Sequence, residues 1–213
     1  MFSRNGVRAL LEPFEIPLRD DSIDKLIVYL DLLLRWNRKI NLTAIRTPEE
    51  CVTRHFGESF FLSRLTSLRG RVLDVGTGAG FPGLALKLIA ADLEVVLLEP
   101  VAKKRAFLKE VSRACEFTGV DVLGRRLEEY SQGERELTVD IITFRAVGGL
   151  ELLIPIARSL LKRDGRLCLY LGNQQVRAII EREPDWKWQD PVAIPLSHDR
   201  QILQGFREWA QRE

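Results

Sequence analysis

The segment Val72-Leu73-Asp74-Val75-Gly76-Thr77-Gly78-Ala79-Gly80-Phe81-Pro82-Gly83 constrains the fold of this chain more than any other. A short apolar run enters three glycines at alternate positions and leaves through Pro82 into an apolar stretch. Glycine belongs where the backbone turns through positive φ, or where a side chain would keep a ligand from approaching it. Proline suits the first turn of a helix, whose N–H groups have no partner within the helix. The spacing therefore predicts strand, tight turn and helix in direct succession, with helix N–H groups offered to an anion.

The rest of the chain repeats that alternation. Strand candidates at Arg71–Val75, Leu93–Leu98, Val120–Leu123, Val139–Phe144 and Arg166–Tyr170 are separated by helical segments over Pro82–Ala90, Ala102–Thr118 and Leu150–Leu161. Such an order predicts a mostly parallel sheet covered by helices on both faces. Trp186–Trp209 is expected to add two strands as an antiparallel finish, seven in all. The first part of the chain carries no strand signal. Behind a Ser22 cap, Ile23, Leu26, Ile27, Leu30, Leu33 and Leu34 recur at helical spacing, and a second helix is expected after Pro48, through His55, towards Leu65. The expected division is a helical extension over residues 1–68, packed on an α/β core over residues 69–213.

Composition narrows the class without choosing a function. A chain with 46% hydrophobic and 29% charged residues is ordinary for a globular domain. No apolar run approaches the roughly twenty residues of a membrane helix, and the first residues do not read as a signal peptide. Cys51, Cys115 and Cys168 stand far apart with no paired spacing, so they read as reduced thiols of a cytoplasmic protein, and neither a disulfide nor a metal site is expected. The net charge is only +2, so a nucleic acid would have to be met by local basic patches. Those patches are Arg35, Arg38, Lys39 and Arg46, then Lys103-Lys104-Arg105, then Arg125-Arg126.

The ligand of the turn is the next question. Gly78-x-Gly80-x-x-Gly83 matches the dinucleotide pattern, which keeps a nicotinamide oxidoreductase in view. Asp74, two residues before Gly76, shifts the balance. A carboxylate there engages the turn backbone and, through water, the amino group of an amino-acid ligand. Glu99, at the end of the second strand, is placed to accept ribose hydroxyls. S-adenosylmethionine carries an ammonium and a ribose but no phosphate, and accounts for both acids.

Several further segments resemble one family. These are Trp36-Asn37-Arg38-Lys39-Ile40-Asn41-Leu42-Thr43-Ala44-Ile45, His55, the turn itself, Leu97-Leu98-Glu99, Lys104-Arg105-Ala106-Phe107-Leu108, Arg126-Leu127-Glu128 and Arg145-Ala146-Val147. In that order they resemble the RsmG (GidB) family, the bacterial 16S ribosomal RNA guanine-N7 methyltransferases. The resemblance implies a class I S-adenosylmethionine-dependent methyltransferase, Rossmann-like, with a helical N-terminal extension. It implies a guanine target at nucleotide 527, in the 530 loop of 16S rRNA, presented by the 30S subunit, an assembly intermediate or free RNA. It further implies that Gly76 and Phe81 touch S-adenosylmethionine, Glu99 its ribose, and Leu127 and Glu128 its adenine, with Arg145 at the mouth of the active site. Gly78 and Gly80 complete the expected cofactor turn. Three positions differ from the family's usual residues: Glu58-Ser59 stands for Asp-Ser, Phe144 for Ser, and Leu171-Gly172 for Lys-Gly.

N7 of guanine has a lone pair and no proton, so its methylation needs no general base. Positioning and desolvation supply the catalysis. Arg145 is the expected catalytic residue, holding O6 or a flanking phosphate, or else forming an ion pair with a carboxylate. Arg38, Asn41, His55, Lys104 and Arg105 are the substrate-side candidates; Asn41 is as readily a backbone-bonding loop residue, and His55 a packed, hydrogen-bonded one. The alternatives are a methyltransferase for another RNA or a small molecule, a silent binder of cofactor or RNA, and the oxidoreductase. The chain is expected to act as a monomer.

Overall fold

The computed structural model describes residues 2–133 and 138–207. Five strands run parallel: β1 (Arg71–Val75), β2 (Glu94–Leu98), β3 (Val120–Leu123), β4 (Val139–Arg145) and β5 (Leu161–Gly172). The stretch after Trp186 forms three strands rather than two: β6 (Trp186–Trp188), the two-residue β7 (Val192–Ala193) and β8 (Arg200–Arg207), with Trp209 outside the described residues. Pro191 and Pro195 bracket β7 and keep it short, because proline has no N–H for a strand ladder. The order is β3-β2-β1-β4-β5-β8-β6; β8 is antiparallel to β5, and β7 pairs with β8 off this path.

Alternation along the central strands sends side chains to two apolar layers. Val72, Val95, Leu97 and Ile141 face one, while Leu73, Val75, Val96, Leu98 and Ile142 face the other. The first face is covered by α6 (Gly83–Ile89) and α7 (Ala102–Ala114); the second by α8 (Leu127–Gly133), α9 (Leu150–Leu160) and α10 (Asn173–Arg182). Helix α10 has no counterpart in the periodicity reading, because Val176 alone of its residues is buried and its apolar stripe is narrow.

The N-terminal region is helical, with α1 (Arg4–Leu11), α2 (Asp20–Asn37) and a nearly continuous helical run over residues 48–65 that includes α3 (Pro48–Glu50), α4 (Glu58–Phe60) and α5 (Leu62–Leu65). Helix α2 begins before Ser22, which is buried inside it. Asp20 and Asp21 occupy its first turn, where carboxylates complement the helix dipole. The run over 48–65 opens on Thr47, whose hydroxyl caps Glu50 N–H at 3.3 Å, and passes through a π-helical stretch at Cys51–Gly57. Stretches of that kind are rare and concentrate at functional sites. This one carries Arg54 and His55.

The extension has no core of its own. Tyr29, Phe56 and Phe60 belong to the same buried cluster as Val72 and Leu84. Tyr29 is fully buried; its hydroxyl donates to Ala79 O at 2.5 Å, and its ring stacks on Phe81 at 5.3 Å. Helix α2 is thereby fastened to the glycine turn. Gly80 answers both demands of that contact, with φ at +91° and a position where a Cβ would run into the Tyr29 hydroxyl.

Tyr29→Phe keeps the stacked ring but leaves the Ala79 carbonyl without its donor. It is expected to cost about 1–2 kcal/mol in urea denaturation, the usual penalty for stranding one buried hydrogen-bond partner. An unchanged midpoint would show that the hydroxyl does not fasten the extension.

Candidate active site

In a sheet of this order the strand sequence reverses between β1 and β4, and ligands bind beyond the carboxyl ends of the strands there. The glycine turn occupies that position. Gly76 N–H and Thr77 N–H donate to Leu98 O at 2.9 and 3.2 Å, tying the turn to β2. Gly76 and Gly78 have φ of +66° and +59°, a region that L side chains rarely adopt. A Cβ on Gly76 would lie 2.9 Å from Val147 Cγ2, whereas one on Gly78 would meet nothing nearer than 3.9 Å and would simply fill the open cradle.

Asp74 braces this turn from behind. It is fully buried on the face occupied by α6, where Oδ2 accepts Gly83 N–H at 2.9 Å and Oδ1 accepts the Thr143 hydroxyl at 2.8 Å. Gly83 is where the helix comes closest, since a Cβ there would stand 2.6 Å from Leu97 Cδ2. Burial pushes the Asp74 carboxyl up to about 6, against the donors that hold its ionised form. The sequence reading offers the N–H groups of this helix to an anionic ligand. The structure corrects that: Gly83 N–H belongs to Asp74, and Leu84 N–H to Gly80 O. A pyrophosphate would need those donors and would face a buried carboxylate, so the geometry disfavours a dinucleotide. The Asp74 oxygens, too, are turned to protein donors.

Glu99 sits just past β2, 3% exposed. Its Oε2 accepts Gly78 N–H at 3.0 Å and its Oε1 accepts Val101 N–H at 2.8 Å, leaving the remaining lone pairs of each oxygen. The cleft has two lobes that meet at Gly76. The smaller, about 220 Å³, is lined by Leu98, Pro100, Arg126, Leu127, Glu128 and Gly148. Its walls are mostly apolar, with the Glu128 carboxylate beside the Arg125 and Arg126 cations. The larger, about 530 Å³, is basic, with Arg54, Lys104, Arg145 and Arg200 on its walls beside Gly78, Phe81 and His55.

Arg145 ends β4 inside the larger lobe, followed by Ala146 at φ +56°. Left-handed backbone on a non-glycine residue costs about 1 kcal/mol and clusters at functional sites. The Arg145 guanidinium is held by the extension. Nη1 donates to His55 O at 3.4 Å and Ser59 Oγ at 3.3 Å, while Nη2 donates to Arg54 O at 2.5 Å and Glu58 Oε2 at 3.0 Å. Burial lowers the Arg145 pKa, opposed by the Glu58 carboxylate. The ion-pair partner is Glu58, at one of the three positions where the chain differs from the resembled family. A second such position, Phe144, is buried in the apolar layer on the second face; the third, Leu171, lines the larger lobe.

His55 lines the same lobe with its ring stacked on Phe81 at 4.6 Å and Nε2 2.8 Å from Thr43 Oγ1. Burial, with the Arg145 and Arg54 charges behind it, brings its pKa down to about 3. The ring is neutral at any physiological pH.

The other substrate-side candidates scatter. Lys104 lines the lobe. Arg105 Nη1 instead donates to Glu99 O at 3.0 Å and Pro100 O at 2.5 Å, propping the loop that carries Glu99. Asn41 is exposed and its Oδ1 accepts from Arg46 Nη2 at 3.4 Å. The asparagine that organises the loop after α2 is Asn37, which accepts Leu42 and Thr43 N–H and donates to Thr43 O and Ile45 O. Arg38 lies outside both lobes, in a surface hollow with Arg35, Trp36 and Lys39. Tyr29 and Arg200 are the residues the sequence reading did not single out, while Glu58 entered it only as a departure from the resembled family and Asn37 only as part of a resembling segment. Tyr29, Glu58 and Arg200 act on partners that only the closed fold supplies, whereas Asn37 acts on residues five to eight positions further on.

The architecture is similar to that of solved methyltransferases. A ribosomal protein L11 methylase from Lactobacillus delbrueckii subsp. bulgaricus matches with a TM-score of 0.60 at 16% identity, over 73% of this chain and 79% of that one. A SAM-dependent methyltransferase from Aquifex aeolicus matches with a TM-score of 0.58 at 18% identity, over 73% and 92%. The fold is that of a class I S-adenosylmethionine-dependent methyltransferase. The family model described as "GidB: rRNA small subunit methyltransferase G" matches residues 22–202. Proteins named ribosomal RNA small subunit methyltransferase G are similar throughout: that of Desulfitobacterium hafniense (strain Y51) is 38% identical over 82% of this chain and 73% of its own length. That of Syntrophotalea carbinolica is 36% identical over 92% and 90%. This chain belongs to the GidB family of small-subunit rRNA methyltransferases.

Asp74 generates a pH-dependent expectation. Its folded pKa lies above the ordinary carboxylate value, so the folded protein holds that proton more tightly than the unfolded chain, and stability falls as pH rises from about 4 to about 6. Asp74→Asn keeps an acceptor for Gly83 N–H and removes the buried charge. Relative to the parent it is expected to be more stable at pH 7, by on the order of 1–3 kcal/mol, and no more stable at pH 4. Parallel denaturation curves at the two pH values would rule out the raised pKa.

Proposed function

We propose that this chain transfers a methyl group from S-adenosylmethionine to N7 of a guanine in small-subunit ribosomal RNA, with nucleotide 527 in the 530 loop of 16S rRNA as the target. The observation that carries the reading, beside family membership, is the two-lobed cleft: a mostly apolar lobe with Glu128, Arg125 and Arg126 on its walls and a basic lobe, meeting at Gly76. Bound S-adenosylmethionine supplies an electrophilic methyl group on a sulfonium and departs as S-adenosylhomocysteine. Leu127 and Glu128 line the lobe that suits its adenine, and Gly76, Gly78 and Phe81 line the side facing the acceptor. Glu99, Gly80 and Asp74 set the shape of the cradle, with Glu99 nearest in chemistry to a ribose hydroxyl acceptor.

The residues in the basic lobe fit an acceptor that has no proton to lose. His55 is neutral and hydrogen-bonded to Thr43, and Arg145 is a fixed cation. Neither is a base. Arg145, its terminal nitrogens engaged by the extension, acts on O6 or a flanking phosphate of the acceptor through its charge, and Lys104 adds charge on the same wall. Arg38 and Asn41, on the exposed end of the extension, extend the contact to RNA backbone outside the cleft, and Arg105 serves through the Glu99 loop. The protein works as a cytoplasmic monomer on the 30S subunit or an assembly intermediate. Among the described residues no helix is long and apolar enough to cross a membrane.

The test is incubation with methyl-labelled S-adenosylmethionine and 16S rRNA or 30S subunits lacking this methylation, followed by digestion to nucleosides. Label is expected in 7-methylguanosine, with Arg145→Ala lowering kcat by on the order of 10²-fold while S-adenosylmethionine still binds. Label in another nucleoside, or none, would overturn the reading. Because His55 is held neutral down to about pH 3, kcat is expected to be flat from about pH 6 to 8. An inflection in that window that disappears in His55→Gln would show the imidazole to be a proton carrier.

A further inference from the structure

Glu58 is 2% exposed and stands between two arginines that arrive from distant parts of the chain. Its Oε2 accepts Arg145 Nη2 at 3.0 Å, and its Oε1 accepts Arg200 Nη2 at 2.6 Å and Nε at 3.1 Å. One buried carboxylate therefore serves two guanidinium groups, the only further acid within ion-pair range of them being the exposed Asp199 at 3.9 Å among the described residues, in a lobe that already holds Arg54 and Lys104. A buried carboxylate shared between two guanidinium groups is a poor device for stability alone, because desolvation of the charges is not fully offset.

The two arginines differ in what they have left to offer. Both terminal nitrogens of Arg145 are engaged by the extension. Arg200 is about one-third exposed; beyond its bonds to Glu58, its Nη1 lies 3.9 Å from the exposed Asp199 carboxylate, outside hydrogen-bonding range. Its backbone is fixed at the start of β8, opposite Gly172 in the β5 register, by Ser197 Oγ on its N–H at 3.0 Å. A charged fork with free N–H groups, fixed on the wall of a basic lobe, matches an anionic oxygen pair. Two sources can supply that anion: an RNA phosphate, or the carboxylate of the amino-acid part of the cofactor. Arg200 lies three strands from the turn after β1, and strands are about 4.8 Å apart, which places it towards the acceptor side.

We propose that Arg200 binds a phosphate of the RNA strand next to the target nucleotide, and that Glu58 is the positioning residue that holds Arg200 and Arg145 at a fixed separation. The proposal rests on the functional reading above for the identity of the RNA, but not for the measurement. Binding of a 16S rRNA fragment that contains the 530 loop is followed by fluorescence anisotropy across a salt series, with S-adenosylmethionine affinity measured separately by calorimetry. Arg200→Gln is expected to weaken RNA binding about tenfold and to reduce the salt slope by about one unit, while S-adenosylmethionine affinity stays within about twofold. Arg200→Lys keeps the slope, since it keeps the charge, and loses part of the affinity with the fork.

Should Arg200→Gln fail to fold with Glu58 short of a partner, the double variant Glu58→Gln/Arg200→Gln removes that carboxylate, and the same losses are expected of it. RNA affinity and slope both unchanged would overturn the proposal. So would a fall in S-adenosylmethionine affinity with the RNA slope intact, which assigns the anion to the cofactor. Absence of 7-methylguanosine from the wild-type reaction, with the Arg200 effect on RNA binding present, would remove the functional reading and leave this one standing.

Discussion

Much of this molecule depends on one buried carboxylate. Asp74 leaves β1 with no access to solvent and joins three elements at once: its own strand, β4 through the Thr143 hydroxyl, and the start of α6 through Gly83 N–H. A charge so placed is costly unless every oxygen is met by a donor, and the donors here come from fixed positions. That fixes where α6 begins, and with it the path of the glycine turn. Glu99 does the same from the other side by accepting Gly78 N–H. The turn is thus held by the protein before any ligand arrives, which is how a site avoids ordering its own backbone during binding.

The second dependence runs from the turn into the helical extension. Phe81 stacks on Tyr29 from α2 and on His55 from the π-helical stretch, and Phe56 packs edge-on at 5.0 Å. The extension reaches further, past Ser59, whose carbonyl accepts the Tyr170 hydroxyl at 3.2 Å, to Arg145 and Arg200. The region before β1 is therefore a wall of the basic lobe as much as a cover for one face of the sheet. Its carboxylate at position 58 is the hinge of that arrangement. Glu58 has the reach to serve two guanidinium groups, one from β4 and one from β8.

Fixed cations and a neutral imidazole define what the basic lobe does. Burial drives His55 neutral, while Glu58 keeps Arg145 charged against the same burial. These are opposite outcomes of one environment, separated by the presence or absence of a carboxylate partner. A lobe with permanent charge and no titrating base near neutrality suits chemistry in which the acceptor brings its own lone pair.

The sequence by itself determined the parts whose cause is local. Three alternate glycines, the following proline and the apolar periods on either side dictated strand, turn and helix, because φ preference and side-chain spacing act within a few residues. The turn glycines Gly76, Gly78 and Gly80 were legible for that reason, whereas the expectations for Phe81, Leu127 and Glu128 rested on the family resemblance and not on any local period. Only the tertiary structure decided which polar groups remain free. Asn37 ends α2 and Asn41 stands four residues further on in the loop, and nothing local says that the first closes the loop while the second faces solvent. Arg105 was indistinguishable from Lys104 until the Glu99 and Pro100 carbonyls were in place to receive it. Glu58 meets Arg145 across 87 residues and Arg200 across 142, and Tyr29 meets Ala79 across 50. Contacts at such separations exist only after the chain has closed on itself, so pairing, burial and the charge left over for a ligand are properties of the fold rather than of any segment in it.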